Sequence, residues 1–476
     1  MLSGDVMRTP IADFVTEYAA SDTVRFHMPG HKGQKILGCE ATDITEIFGA
    51  DALYEASGII RESETNATEL FGTGRTLYST EGSSQCVRAM LELARRWWQQ
   101  KQERGKCSEA AKKYADSIHA KSLRPIIIAA RNAHKAFLYA TIVLDFDVVW
   151  LWPEEENASL CSCVVTPETL EWVLTEQKER VAAVYLTSPN YLGGLADIAT
   201  LSEVCHRHNV LLCVDNAHGA YLHFLENSLH PMDLGADLCC DSAHKTLPVL
   251  TGGAYLHISK QASAELWQWA KGAMELFGST SPSYLILQSL DLCNRYLAEG
   301  YRERLKKFCE LISDCKHYLR AGGWQVEETD PLRITIKAPC GLTGEELAEQ
   351  LRNNQIECEY ADKDYLVLMA TPENSAKDFD RILQLLQENK LKHAITIRNE
   401  KIPLAVHAEQ AASVREAYMA AGEILPVEQA LGRICRMPTA TCPPAIPVVV
   451  PGERIDEAAV QSFQYYGIEF VDVIKE

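Results

Sequence analysis

Lys245 follows an apolar run, in Cys239-Cys240-Asp241-Ser242-Ala243-His244-Lys245-Thr246. Partial burial at a strand end disfavours an ammonium, and the free amine that results can condense with a carbonyl compound. Most lysines are solvated surface charges, so the neighbours decide the reading. His244 stands beside Lys245, and Ser242 carries a hydroxyl suited to a phosphate. Asp215 ends a second apolar run, Leu211-Leu212-Cys213-Val214. A carboxylate there is costly unless it meets a cation or hydrogen-bond donors. A protonated ring nitrogen is such a cation; the competing reading is a cap on a following helix. Thr80-Glu81-Gly82-Ser83-Ser84-Gln85 precedes Val87, Met90, Leu91 and Ala94 at helical spacing, which makes Ser83 or Ser84 the expected N-cap. Capping alone explains those serines, but Gly82 also lets backbone approach a phosphate at the helix start. His134, in Arg131-Asn132-Ala133-His134-Lys135, offers an imidazole that could lie flat on a cofactor ring or hydrogen-bond within the fold.

These residues need elements to hold them. Between about residues 124 and 258, short apolar runs alternate with helical stretches: Arg124 to Ala130, Val181 to Thr187, Val210 to Val214 and Ala236 to Cys240. That alternation predicts an α/β fold with a mostly parallel, buried sheet. Ligands of such sheets bind at the carboxyl ends of the strands. Each run is followed there by polar or small residues: Arg131 to His134, Ser188-Pro189, Asp215 to His218 and Asp241 to Lys245. A helix is expected from Tyr284 to Ala321, and a smaller α+β region after it, with strands at Leu332 to Ile336 and Tyr365 to Ala370 and a helix at Gly344 to Asn353. The polar stretch Gly105 to Lys121 reads as an exposed helix or loop. Cys442-Pro443-Pro444-Ala445-Ile446-Pro447 is neither regular helix nor central strand.

The chain has 476 residues, enough for two or three domains. Its divisions are expected at 1–50 (an N-terminal arm), 51–310 (a large domain) and 311–476 (a C-terminal region). A composition of 47% apolar and 23% charged residues is that of an ordinary soluble globular protein. No apolar run reaches membrane-spanning length, and Asp5 and Asp13 stand where a leader would be basic, then apolar, so a cytoplasmic, mature start is expected. The net charge of −19 argues against nucleic-acid binding and suits a cationic substrate, although solubility explains it equally well. The 16 cysteines form no Cys-x-x-Cys, so neither zinc spacing nor a redox motif is present and no metal is expected.

Taken together, these stretches resemble the Orn/Lys/Arg decarboxylases, pyridoxal-phosphate (PLP) enzymes of fold type I. The resemblance runs from Thr9-Pro10-Ile11 and Arg25 to Gly33, through Asp43 to Glu46 and Gly49 to Leu53, to Pro443 to Pro447 and Pro451-Gly452-Glu453. Between them, in family order, lie Glu81 to Ser84, Arg131 to Lys135, Thr187 to Tyr191, Ser242 to Leu247 and Ser279 to Tyr284. It implies a PLP-binding large domain of the aminotransferase-like type and a shorter form lacking an N-terminal wing domain. It further implies decarboxylation of arginine, lysine or ornithine to agmatine, cadaverine or putrescine. Lys245 would hold PLP as a Schiff base, Asp215 would pair with the pyridine nitrogen and His134 would stack on the ring. Ser83, Ser84, Ser242 and His244 would surround the phosphate, and His218 would lie beside the cofactor. Either Lys245 or His244 would return a proton to Cα. Fold type I also implies a homodimer, or an oligomer of dimers, with sites at the interface.

Three places depart from the family pattern. Glu81 stands where Asn is usual, putting a negative charge beside an expected anion, and Asn216 and Gly252-Gly253-Ala254 also differ. Two alternatives stay open at this level: another fold type I aminotransferase, aldolase or lyase, and a turnover-deficient binding protein. Glu357 and Glu359 are acidic candidates for a basic substrate side chain.

Overall fold

The apolar runs become strands within a residue or two of their expected limits. The strands are β1 (Arg75–Ser79), β2 (Ile126–Ala130), β3 (Asp147–Leu151), β4 (Val181–Thr187), β5 (Leu211–Asp215), β6 (Leu238–Asp241) and β7 (Ala254–Ile258). The computed structural model describes residues 6–105, 124–153, 159–177, 180–392, 407–439 and 444–476. They fall into two units: Met1–Ile127, Leu174–Leu186 and Ile198–Glu303 in the first, and Ile128–Val173, Thr187–Asp197 and Arg304–Glu476 in the second.

In the first unit the strand order is β1-β7-β6-β5-β4. β5 and β6 run parallel, whereas β7 is antiparallel to both β6 and β1. β7 is thus the reversed strand of those four, and the sheet is of the expected mostly parallel α/β kind. β5 and β7 are buried along their whole length, which suits their aliphatic content. Helix Ser83–Gly105 packs on β6, β7 and helix Ala264–Glu275, burying Cys86, Val87, Met90, Leu91 and Ala94. Truncating such a leucine to alanine costs about 2–5 kcal/mol. The helix expected from Tyr284 to Ala321 is instead two, Tyr284–Ala298 and Tyr301–Ala321. Gly300 separates them at φ +73°, a backbone conformation that glycine adopts without strain.

The second unit holds β3 and most of β2, neighbours in one sheet. It also holds an antiparallel sheet of Arg333–Lys337, Tyr365–Met369 and Tyr360–Ala361, and an antiparallel pair, Gly422–Pro426 with Phe470–Ile474. Helix Gly344–Asn353 starts at a capping box, Thr343 and Glu346 exchanging bonds with each other's backbone N–H. Of the stretch Gly105 to Lys121 only Gly105 is among the described residues, and Cys442 and Pro443 also lie outside them. No described helix is long and apolar enough to cross a membrane.

Candidate active site

Within the first unit, adjacent parallel strands deliver the two halves of the expected chemistry. The β5–β6 register sets Asp215 opposite Cys240, so the turn after β5 and the turn after β6 leave the same end of the sheet. After β6 the chain passes through Ser242 into a single helical turn, Ala243–Thr246. That turn carries Lys245, whose Nζ lies 2.7 Å from His218 Nε2. His218 is 5% exposed. His244 donates from Nδ1 to the Gly253 carbonyl at 2.9 Å. A Cβ on Gly253 would stand 2.3 Å from Val249 Cγ1, so glycine there follows from close packing against Val249, three residues beyond the turn that bears Lys245.

Helix Ser83–Gly105 begins directly after Gly82. The expectation that Ser83 or Ser84 is the N-cap is therefore corrected: both lie in the first turn, where backbone N–H groups have no partner within the helix. Gly82 has φ +73°, its N–H donates to Gly252 O at 2.7 Å, and a Cβ on it would meet nothing within 4 Å. Ser242 Oγ donates to Ser83 Oγ at 2.8 Å, joining the helix start to the Lys245 turn. The Glu81 carboxylate accepts the Ser279 backbone N–H, which gives this unusual charge a donor of its own.

The Asp215 carboxylate is 4% exposed. It accepts from Tyr185 Oη (2.9 Å), Ala217 N–H (3.2 Å) and Cys240 Sγ (3.6 Å). No helix starts on it, since a 3-10 turn begins only at Ala220, and the helix-cap alternative falls. Asn216 points elsewhere, donating from Nδ2 to Asp241 Oδ1 at 2.7 Å. Asp241 Oδ2 also accepts from His230 Nε2 (3.0 Å) and His257 Nε2 (3.1 Å), all three side chains being fully buried. Burial raises the Asp241 pKa, but the two imidazoles outweigh it and hold the carboxyl well below its usual range. Burial pushes the His257 imidazole down in spite of Asp241. His230 Nδ1 accepts the Met232 N–H, so its proton sits on Nε2, as a hydrogen-bonded brace requires and a metal ligand does not. The sequence reading missed Tyr185, His230 and His257. Tyr185 carried a signal, being the one phenol in an otherwise aliphatic buried strand.

In the second unit His134 is the N-cap of helix Lys135–Leu144, its Nδ1 accepting from Ala136 N–H at 3.1 Å. Arg131, three residues earlier, meets the C-terminal motif: it donates to the carbonyls of Pro447 (3.1 Å) and Val448 (2.9 Å) and pairs with Glu453 (3.2 Å). Lys135 N–H bonds Ala445 O at 3.0 Å. Of the acidic candidates, Glu359 accepts from Tyr191 Oη at 3.0 Å, and Glu357 is exposed and paired with Arg352.

PLP presents an anionic phosphate, an aldehyde and a basic ring nitrogen, and the first unit's donor set fits each. Hydroxyls of Ser83 and Ser242 meet at an open helix start, Lys245 supplies an amine, and Asp215 supplies a buried carboxylate. Thr246 Oγ1, in the same turn as Lys245, is buried without a hydrogen-bond partner, a donor that an entering group can use. Fold and site together define a PLP enzyme of fold type I. Solved structures of the same fold include the lysine decarboxylase of Francisella novicida, at TM-score 0.77 and 16% identity over 99% of this chain and 82% of that one. The constitutive lysine decarboxylase of E. coli matches at TM-score 0.75 and 16% identity, over 98% of this chain and 82% of that one.

The family model for the Orn/Lys/Arg decarboxylase major domain matches residues 117–338, and that for its C-terminal domain matches 395–471. Among curated relatives, the arginine decarboxylase of Bacillus subtilis (strain 168) is 27% identical over 477 residues, 94% of this chain and 91% of the relative. That of Halalkalibacterium halodurans is 27% identical over 483 residues, 95% of this chain and 92% of the relative. The chain belongs to the Orn/Lys/Arg decarboxylase family. It is a PLP-dependent decarboxylase of a basic amino acid.

Proposed function

We propose that the substrate is arginine, released as agmatine and CO₂, and that the work is divided among the residues named above. Support for arginine comes from relatives named arginine decarboxylase that align over more than nine-tenths of this chain. Support for the division of labour is the Lys245–His218 contact at 2.7 Å, beside Ser242 and its bond to Ser83. When bound, PLP supplies the sink for the electron pair left on Cα as CO₂ departs. Lys245 holds the cofactor covalently, and His218 holds the lysine amine. Ser83, Ser84, Ser242 and His244 bind the phosphate, with the first-turn N–H groups adding their dipoles. Asp215 keeps a proton on the ring nitrogen. Lys245 Nζ or His244 delivers the proton that Cα needs.

We read the protein as a homodimer or an oligomer of dimers, supported by the apolar arm: Phe26, Leu37 and Phe48 are 95%, 88% and 104% exposed. A cytoplasmic location accords with the free thiols of all fourteen described cysteines. The test is a decarboxylation assay on arginine, lysine and ornithine, with borohydride reduction of the holoenzyme. Arginine should be turned over with the highest kcat/KM to an amine and CO₂, and borohydride should fix the cofactor to Lys245. A keto acid product, a higher kcat/KM for lysine, or label on another lysine would each reject the corresponding part.

A further inference from the structure

Tyr185 lies in the middle of β4, in the run Val181-Ala182-Ala183-Val184-Tyr185-Leu186, and is 0% exposed. Phenylalanine would fill that place without burying a hydroxyl, which is costly unless the hydroxyl is bonded. The hydroxyl donates to Asp215, whose Oδ2 it reaches at 2.9 Å. The other oxygen, Oδ1, takes the Ala217 N–H and the Cys240 thiol. Three neutral donors from β4, β6 and the turn after β5 thus fix the plane of the carboxylate and leave its charge uncompensated.

We propose that Tyr185 is a positioning residue of the decarboxylase, holding the Asp215 carboxylate in the one orientation that meets the cofactor's ring nitrogen and keeping the shared proton on that nitrogen. This rests on the reading that Asp215 pairs with the ring nitrogen. The phenol is a dependable donor, because burial, and then the Asp215 charge, push its pKa well above the ordinary value. Without it the carboxylate can turn about its side-chain torsions, and its charge, no longer shared, draws the proton toward Asp215.

The test compares Tyr185→Phe, Asp215→Asn and the double variant as holoenzymes. It reads the pH titration of the bound cofactor's visible band, the dissociation constant for PLP, kcat and KM separately, and thermal unfolding. Tyr185→Phe should shift the band titration and lower kcat roughly ten- to a hundredfold, the worth of a hydrogen bond to a charged group, with KM within about twofold. The double variant should match Asp215→Asn alone, because the hydroxyl acts only through that carboxylate. A wild-type band titration and kcat in Tyr185→Phe would overturn the proposal, as would a double variant weaker than Asp215→Asn by the whole Tyr185→Phe factor. An unaltered band in Asp215→Asn would reject the Asp215 reading itself, and this inference with it. Loss of thermal stability with an unmoved band would make Tyr185 a packing residue and also overturn the proposal. Tyr185→Leu serves the same comparison should the phenylalanine variant fail to fold.

Discussion

Replacing Glu453 by alanine should cost the second unit roughly 3 kcal/mol, the lower end of the 3–5 kcal/mol typical when one partner of a buried ion pair is removed. The lower end follows from what remains around Arg131. With Glu453 gone, its guanidinium still donates to the Pro447 and Val448 carbonyls and lies about 5 Å from the ring centres of Trp150 and Trp152. Arg131→Met should cost more near neutral pH, because Glu453, 1% exposed, would keep only the Val450 N–H at 2.8 Å. Burial already raises the Glu453 pKa, against the pull of Arg131. A carboxyl with a raised folded pKa contributes stability that is complete below its unfolded pKa and is lost as pH rises through the folded one. The Arg131→Met penalty should therefore shrink as pH falls, once Glu453 can take a proton. The double variant Arg131→Met/Glu453→Met leaves neither charge and should cost less than the sum of its parts. Thermal unfolding followed by near-UV circular dichroism would show Glu453→Ala melting about 6–12 °C early, at roughly 2–4 °C per kcal/mol. A Glu453→Ala variant within about 0.5 kcal/mol of wild type, or strict additivity in the double variant, would refute the argument.

Two further outcomes follow from the first unit. Ser83→Ala and Ser242→Ala should each weaken PLP binding about tenfold, the value of one hydroxyl. Because the two hydroxyls bond each other, the double variant should lose less than the product; titration of the apoenzyme with PLP measures this, and unchanged affinity in both single variants would remove the serines from the phosphate site. Asp241→Asn should destabilise because both imidazoles donate to Oδ2 and Asn216 donates to Oδ1, so whichever way the amide is placed its NH2 faces a buried donor. The wild-type Asp241 pKa is held down, so its contribution is present above the unfolded carboxylate value of about 3.9 and is lost as pH falls through the folded one. The stability gap between wild type and Asp241→Asn, read by urea unfolding, should stay constant from pH 8 to 5 and narrow only at lower pH. A gap that widened on acidification would contradict this sign.

Much of the sheet was legible because β2, β4, β5 and β6 are apolar runs that need no partner to be recognised. β1 (Arg-Thr-Leu-Tyr-Ser) was not, since its polar side chains are satisfied only in the fold: Thr76 by His257, Tyr78 by Ser63 and Asn294, and Ser79 by Gln85. The split at Gly300 escaped because the apolar spacing continues across it, while the break lies in one residue's φ. Site residues with a position in a motif could be found; His257 could not, and the lone phenol of β4 marks Tyr185 without naming its partner, because a strand pattern reveals burial and not what a buried polar tip bonds.

The departures from the family pattern show the same limit from the other side. Read as isolated letters, Glu81, Asn216 and Gly252-Gly253 weaken a phosphate site. In the structure each has a local cause. Glu81 takes the Ser279 N–H, Asn216 serves Asp241, Gly252 O accepts from Gly82, and Gly253 O accepts the His244 ring nitrogen. A substituted residue that brings its own hydrogen-bond partner leaves the groups around it free for their work, and the Lys245–His218 and Ser83–Ser242 contacts stand undisturbed beside all three. The sequence alone could not weigh those changes, because their effect depends on partners found 9 to 198 positions away along the chain.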